Sequence, residues 1–355
     1  MNGILTQYLM RTILASTALV LVVLLALAGL FEFIAELDDT RGDYQTPRVI
    51  LYTLLRLPQL AFEMLPVAVL IGALLGLGSL AANSEIVVMR SAGLSIRKLS
   101  GMVALTGLLL LAVTAMLGEL IAPPLDHFAR NMRLEARFGQ DDDRLGNATW
   151  VRDGPVILHL ERVSSEFEFG SVYMFLLNEE NGLASIARAE NSGIDKDDRW
   201  ILENLRETRF DDNGVQVVQS SLAIENFNID AETLGISLVK PQSLSGRGLL
   251  SYITYLNRNR LDARRYETEL WYRIARTATV VIMPVLALAF VFGSLRTGGA
   301  GARLMIGVVI GLAYYLASEM LANSGQVFNF DPAVIAWLPS ALLGVVTLVA
   351  LNRIR

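Results

Sequence analysis

Three sets of side chains in this sequence combine residue type and spacing in a way that can do chemistry. Arg130, Arg133 and Arg137 follow one another at intervals of three and four. On a helix this spacing puts all three on one face, with Glu135 on the opposite side. A guanidinium carries a planar fork of donors that matches the oxygens of a phosphate or carboxylate in pairs. Such a row suits an anionic headgroup. The ordinary alternative is a solvated helix face, or pairing with Asp141 to Asp143, and charge-run usage alone favours that alternative.

The second candidate is Glu319, the one carboxylate deep inside an apolar run. Intramembrane carboxylates are costly and often functional, so a proton relay is one chemistry for it. The simpler reading puts it near the outer end of its span, facing the bundle or water, because proton-driven carriers show several such groups. The third candidate is the stretch SEIVVMRSAG from Ser84 to Gly93. Ser84 is placed to cap a short helix, Glu85 suits its positive first turn, Gly93 ends it, and Ser95 starts the next helix. A short apolar-faced helix in a short loop has no core of its own. It either lies on the membrane interface or inserts into a cytosolic partner, and composition does not decide between them.

Other catalytic chemistries find no support. The chain has no cysteine and two histidines, His127 and His159, so thiol catalysis, disulfides and Cys- or His-rich metal sites are excluded. The turn from Gly298 to Gly301 lacks the Lys-Ser/Thr of a phosphate-binding loop, and no nucleophile elbow or zinc-helix motif occurs. A net charge of −5 gives no support for nucleic-acid binding. The chain reads as non-catalytic and without a cofactor, with any energy supplied by a partner.

The elements that must position these residues are mostly membrane helices. Of 355 residues, 53% are hydrophobic and only 18% charged, with a mean hydropathy of +0.45; soluble domains carry about 25% charged residues. Runs of about 20 apolar residues cross a bilayer, and six occur: Ile13 to Phe31, Met64 to Asn83, Leu99 to Gly118, Thr277 to Leu295, Leu304 to Phe330 and Pro332 to Asn352. The first is too long for a secretory signal, and Phe31-Glu32-Phe33 is no cleavage site, so it is read as retained. Arg11, then Arg90, Arg97 and Lys98, then Arg296 and Arg303, then Arg353 and Arg355 all fall on one side of the membrane. The alternate loops are acidic or neutral. By the positive-inside rule both termini are cytoplasmic and the long middle segment is external.

That middle segment, residues 122–265, contains short β-type runs: Thr149 to Val151, Val156 to Leu160, Val172 to Leu176, Trp200 to Leu202, Val215 to Val218 and Leu222 to Phe227. Turn signals separate them, which predicts an all-β sandwich or roll. The fold class is therefore an α-helical membrane protein with six transmembrane helices, three on each side of an inserted all-β domain. Its parts are residues 1–121, with a cytoplasmic helix near 84–92, then 122–265, then 266–355.

In this order the parts resemble the lipopolysaccharide export permease family, LptF and LptG, and its LptG branch in particular. The resemblance is carried by Gly72 to Gly93, by ELIAP from Glu119 and ARNMR from Ala129, and by LGISL from Leu234. It continues through Leu244 to Leu256, Arg265, Tyr266 and Trp271, and the stretch ALAFVFGSLR from Ala287. It implies a β-jellyroll in the periplasm, a pseudo-symmetric partner of the LptF type and an LptB-type ATPase dimer. Association with LptC, a bridge through LptA, and lipopolysaccharide as substrate in the bacterial inner membrane also follow from it. By the same resemblance Glu85, Val88, Met89, Ala92 and Gly93 belong to a coupling helix seated in the ATPase, and Arg130 and Arg133, with Arg137 beside them, become phosphate contacts. One departure stands out. Family members can carry basic residues at the outer end of span one, whereas every charge from Glu32 to Asp39 is acidic. No substrate site is carried over there; phosphate contacts lie elsewhere, or divalent cations or paired arginines intervene. The competing readings are the LptF-type subunit, a proton-coupled transporter built on Glu319, and a membrane-anchored β scaffold.

Overall fold

The computed structural model describes residues 2–38, 43–138, 149–161, 169–178, 182–195, 199–211, 214–225, 227, 241–292, 299–328 and 330–353. Asp39, Asp141 to Asp143, the stretch from Leu234 to Leu238, Arg296 and Arg355 lie outside them. The chain divides into two compact units, Met1–Arg137 with Arg264–Arg355, and Phe138–Ala263.

The first unit is helical. It contains α1 (Asn2–Leu37), α2 (Thr46–Ala82), the short α3 (Glu85–Ser91), α4 (Ile96–Met116) and α5 (Ala122–Phe138). After the β unit come α7 (Arg264–Phe292), α8 (Ala300–Phe328) and α9 (Pro332–Arg353); α6 belongs to the β unit. Among the described residues, six helices are long and apolar enough to span a bilayer, at Gly3–Leu37, Thr46–Ala82, Ile96–Arg133, Arg264–Phe292, Ala300–Asn323 and Pro332–Arg353. These are the six expected spans.

Span three extends further outward than its apolar run. A π-helical turn, Leu117–Ile121, joins α4 to α5 without a break. Pro123 and Pro124 lack amide donors, and their rings crowd the carbonyls four residues back; those carbonyls, on Glu119 and Leu120, lie in the wider π turn. Helix α5 therefore stays in register with the membrane unit as far as the Arg130 row.

The core of this unit runs along α2. Leu70, Ala73, Leu74 and Leu77 are buried against Leu9 and Ile13 of α1 and against Met283, Leu286 and Leu288 of α7. Two pairs of glycines let helices approach closely, as small residues at this spacing do in membranes. A Cβ on Gly72 would lie 2.5 Å from the Thr17 Cα, and one on Gly76 would lie 2.9 Å from Ser16 Oγ. On α8, Cβ atoms on Gly307 and Gly311 would meet Leu74 at 2.9 Å and Val67 at 2.6 Å.

The second unit is a single antiparallel sheet of seven strands in the order β1-β2-β3-β4-β6-β5, with β7 also paired to β6. The strands are β1 (Thr149–Asp153), β2 (Val156–Leu160), β3 (Val172–Leu177), β4 (Leu183–Ala189), β5 (Asn191–Ile194), β6 (Trp200–Asp211) and β7 (Gly214–Glu225). One face buries Val151, Leu158, Val172, Met174, Ala187, Trp200 and Leu202. Helix α6 (Gly246–Arg258) joins this unit. Its Tyr255 hydroxyl donates to the Arg152 carbonyl at 2.9 Å and accepts from the Arg152 amide at 3.1 Å.

The all-β expectation stands, with two corrections. The runs Val215 to Val218 and Leu222 to Phe227 were expected as separate strands; β7 is one strand from Gly214 to Glu225, paired with β6 from end to end. The polar residues Gln219, Ser220 and Ser221 interrupt the apolar pattern, but backbone pairing does not depend on it. Strands β4 and β5, each with one β-branched residue (Ile186 and Ile194) among mostly small or polar ones, are absent from the runs read in sequence, yet both pair with β6.

Candidate functional site

The arginine row does not stand alone. Asp126, fully buried one turn before Arg130, accepts from Arg130 Nε at 2.7 Å through one oxygen. Its other oxygen accepts from Arg56 Nε at 3.1 Å. Arg56 comes from the middle of α2 and also pairs with Glu32 of α1. Arg133 pairs with Glu36, which additionally accepts from the Tyr44 hydroxyl at 3.2 Å. The Arg56 and Arg133 guanidiniums lie 5.6 and 5.5 Å from the centre of the Tyr52 ring, within cation–π range. Tyr44 meets Tyr52 edge-on at 6.3 Å.

Among the described residues, three arginines and three carboxylates from α1, α2 and α5 thus form one charge-balanced cluster around two buried tyrosines. Burial raises the Tyr44 hydroxyl well above its ordinary pKa, with Glu36 adding to the effect, so it stays a donor. The acidic stretch at the end of α1 is explained by this arrangement. Glu32 and Glu36 face arginines, and of the alternatives the departure raised, paired arginines are what the structure contains.

Of the expected row, Arg130 and Arg133 are in this cluster. Arg137 lies on α5 by its backbone, but its side chain is outside the described residues, as is that of Glu135. Arg56, Asp126 and the tyrosines were not singled out from sequence. Asp126 and Arg130, four apart on one helix, were a legible pair; Arg56 had no local signal, because its partners lie far away in the chain.

The expected cytoplasmic helix is α3. Its closing turn matches expectation: Gly93 has φ +90°, its amide donates to the Arg90 carbonyl, and Leu94 donates to Met89. This is the two-bond ending in which glycine supplies the left-handed residue. Ser95 caps α4 through its side chain, accepting from the Lys98 amide at 3.3 Å. The start differs. Ser84 occupies the cap position with φ +63° and makes no side-chain cap. A capping side chain needs extended backbone to aim at the first-turn amides; here only the Ser84 carbonyl is used, accepting from Val88 at 3.0 Å. Glu85 Oε2 instead accepts from the Tyr8 hydroxyl at 2.8 Å. Ile86 and Met89 are buried in the membrane unit's core, while Val87, Val88, Ala92 and Gly93 are exposed.

Glu319 is not isolated. It stands with Glu63, Arg273 and Arg276 in the electrostatic surroundings of Glu269, and it accepts weakly from Asn323 at 3.5 Å. Arg273 pairs with Glu119 at 2.8 Å, bonds the Gly118 carbonyl in the π turn, and lies 4.9 Å from the centre of the Phe62 ring. Arg276 sits 4.4 Å from the Tyr272 ring centre. Both arginines are buried. Among the described residues no group of three or more His, Asp or Glu side chains is arranged to hold a metal.

Comparison with known proteins covers the whole chain. A family model described as "Lipopolysaccharide export system permease LptF/LptG" matches residues 7–353. The lipopolysaccharide export system permease protein LptG of Escherichia coli (strain K12) is 31% identical over 355 residues, covering 99% of this chain and 98% of that protein. The protein of the same name from Haemophilus influenzae is 29% identical over 357 residues, covering all of both chains.

Proposed function

From membership of the lipopolysaccharide export permease family LptF/LptG, to which this chain belongs, we propose that it is the LptG-type subunit of an ATP-binding-cassette exporter. In this reading it extracts lipopolysaccharide from the inner membrane and passes it to a periplasmic bridge. Its partners are an LptF-type permease, an LptB-type ATPase dimer, LptC and, through the β unit, LptA. The subunit does no bond chemistry; ATP hydrolysis belongs to the ATPase. Both termini and α3 face the cytoplasm, and the β unit faces the periplasm.

The observation that carries the reading is the likeness itself, which covers 99% of this chain in its match to an LptG protein. In the mechanism it supports, α3 transmits ATPase movement through Glu85 and the exposed Val88, Ala92 and Gly93. Met89, buried beneath them, fastens α3 to the helical core. Arg130 and Arg133, with Arg137 as their outward continuation, meet the substrate's phosphates. A charged fork is suited to this because charge-assisted hydrogen bonds are roughly twice as strong as neutral ones. The carrier alternative built on Glu319 is not favoured, since the likeness along the chain is to lipopolysaccharide export permeases.

The test is purification of the tagged full chain from its native membrane, with mass spectrometry of bound proteins and lipid. Recovery of an ATPase, a second permease and lipopolysaccharide is expected. Photo-crosslinking from positions 130 and 133 and release assays on Arg130→Ala and Arg133→Ala complete it. Unchanged release by the double variant, with no lipid adduct at either position, leaves these arginines as surface charge.

A further inference from the structure

Resting on the reading that Arg130 and Arg133 meet the substrate, we propose that Glu36, with Glu32 and Asp126, is a built-in competitor that restricts this arginine cluster to lipids carrying more than one phosphate. Among the described residues the charges of the cluster balance without a ligand: Arg56, Arg130 and Arg133 against Glu32, Glu36 and Asp126. Two of the arginines lie within cation–π range of the same Tyr52 ring. Three guanidiniums this close would repel one another in the empty pocket without the carboxylates. The acids therefore let the protein assemble a phosphate-binding set in advance, and a ligand must displace them to use it.

Displacement has a graded geometry. The Asp126 side chain has no exposed surface, and it holds both Arg56 and Arg130. It is the fixed anchor. Arg133 retains 24% side-chain exposure and Arg130 26%, so both present an edge to an incoming anion. Glu36 has a second donor in the Tyr44 hydroxyl. When Arg133 turns to a ligand, that hydroxyl still solvates the Glu36 carboxylate, which lowers the cost of breaking the Arg133 pair.

Selectivity follows from charge counting. A headgroup with a single phosphate exchanges one anion for another at one arginine and gains little. A zwitterionic headgroup gains less. A lipid with two phosphates engages Arg130 and Arg133 together, and its second contact is intramolecular, at an effective concentration of about millimolar. Specificity here comes from making the wrong ligand compete with a carboxylate already in place, in addition to attracting the right one. The acidic end of α1 is then a filter against the bulk phospholipid that surrounds the pocket.

The experiment compares lipid binding to the full chain, purified with its partner subunits in nanodiscs, by native mass spectrometry. The probes are bisphosphorylated lipid A, monophosphorylated lipid A and phosphatidylglycerol. The wild type is expected to favour the bisphosphorylated probe over phosphatidylglycerol by about tenfold or more, the scale of one well-made extra contact. Glu36→Gln should raise binding of both singly phosphorylated probes by about three- to tenfold while changing the bisphosphorylated probe less than about twofold. Tyr44→Phe, which keeps every charge, should leave the singly phosphorylated probes unchanged and weaken the bisphosphorylated one. If Glu36→Gln does not purify intact, Glu32→Gln removes a more exposed carboxylate and should narrow the preference in the same direction. A preference that stays at the wild-type value in folded Glu36→Gln or Glu32→Gln overturns the filter. If Arg130→Ala with Arg133→Ala does not weaken the bisphosphorylated probe, the underlying substrate reading fails instead, so the two failures are distinguishable.

Discussion

The Tyr8 hydroxyl donates a 2.8 Å hydrogen bond to Glu85 Oε2, tying the first turn of α3 to the beginning of α1. Glu85 therefore has an internal partner before any external one is considered. A carboxylate held this way keeps its second oxygen for a cation outside the chain.

This relationship separates two roles for Glu85. Glu85→Arg is expected to cut recovery of the ATPase with the complex by about tenfold or more, since an interfacial charge left without its partner costs about 2–5 kcal/mol. Tyr8→Phe removes only the internal bond and is expected to leave assembly within about twofold of wild type. Both are measured by co-purification and by lipopolysaccharide-stimulated ATP hydrolysis. Equal losses in the two variants would show that Glu85 acts by holding α3 in place.

The contact of α1 with α2 through Gly72 is expected to tolerate no side chain. Gly72→Ala puts a Cβ against the Thr17 backbone and should destabilise by about 1–3 kcal/mol, the usual cost of overpacking. Gly101→Ala, in α4 with nothing within 4 Å of its new Cβ, should be neutral or slightly stabilising because alanine is the better helix former. Thermal unfolding of the two variants in detergent compares them directly, and a Gly72→Ala protein as stable as Gly101→Ala would contradict the packing.

Orientation is checked by cysteine labelling, helped by the absence of any native cysteine. A cysteine at Val215, 63% exposed on β7, should react with a membrane-impermeant thiol reagent in intact spheroplasts. One at Gly299, exposed at the start of α8, should react only after lysis. Asn181, read from sequence as part of a turn signal, is an equivalent expected external position and lies outside the described residues. Labelling of Gly299→Cys alone would reverse the topology.

Acid sensitivity of the β unit should be reduced in Glu207→Gln. Arg209, bonded to Glu207 at 2.7 Å, holds that carboxylate below its ordinary pKa, with Ser185 adding to the effect. A carboxylate lowered in the folded state contributes stability that is complete above its unfolded pKa and is lost as pH falls through the folded value. The wild type should therefore lose slightly more stability than Glu207→Gln below about pH 4.5. The effect is small because the Arg209 partner is exposed to solvent. Melting temperatures of the full chain at neutral and acidic pH supply the measurement; identical pH profiles would remove the pair from the ledger.

The six membrane helices and their order were legible from the amino-acid sequence alone. The cost of placing a residue in lipid is nearly additive along the chain, so an apolar run declares its span without reference to neighbours. The closing turn of α3 was legible for a related reason: a left-handed residue next to three helical ones is a local event, and Gly93 is suited to it. The strands from Thr149 to Val151 and Val156 to Leu160 showed because their β-branched and aromatic residues suit a half-buried sheet and a turn signal separates them. What the tertiary structure decided was pairing across distance. Arg56 meets Asp126 across 70 positions and Tyr8 meets Glu85 across 77, and no local pattern encodes such a meeting. The same reason applies to β4 and to the unbroken β7, whose strands are defined by backbone bonds to β6 and not by their own side chains. It applies most to the acidic end of α1. In sequence it is a departure from the family; folded, its Glu32 and Glu36 join Asp126 of α5 in pairing with the arginines, because like charges are brought together only where opposite charges meet them.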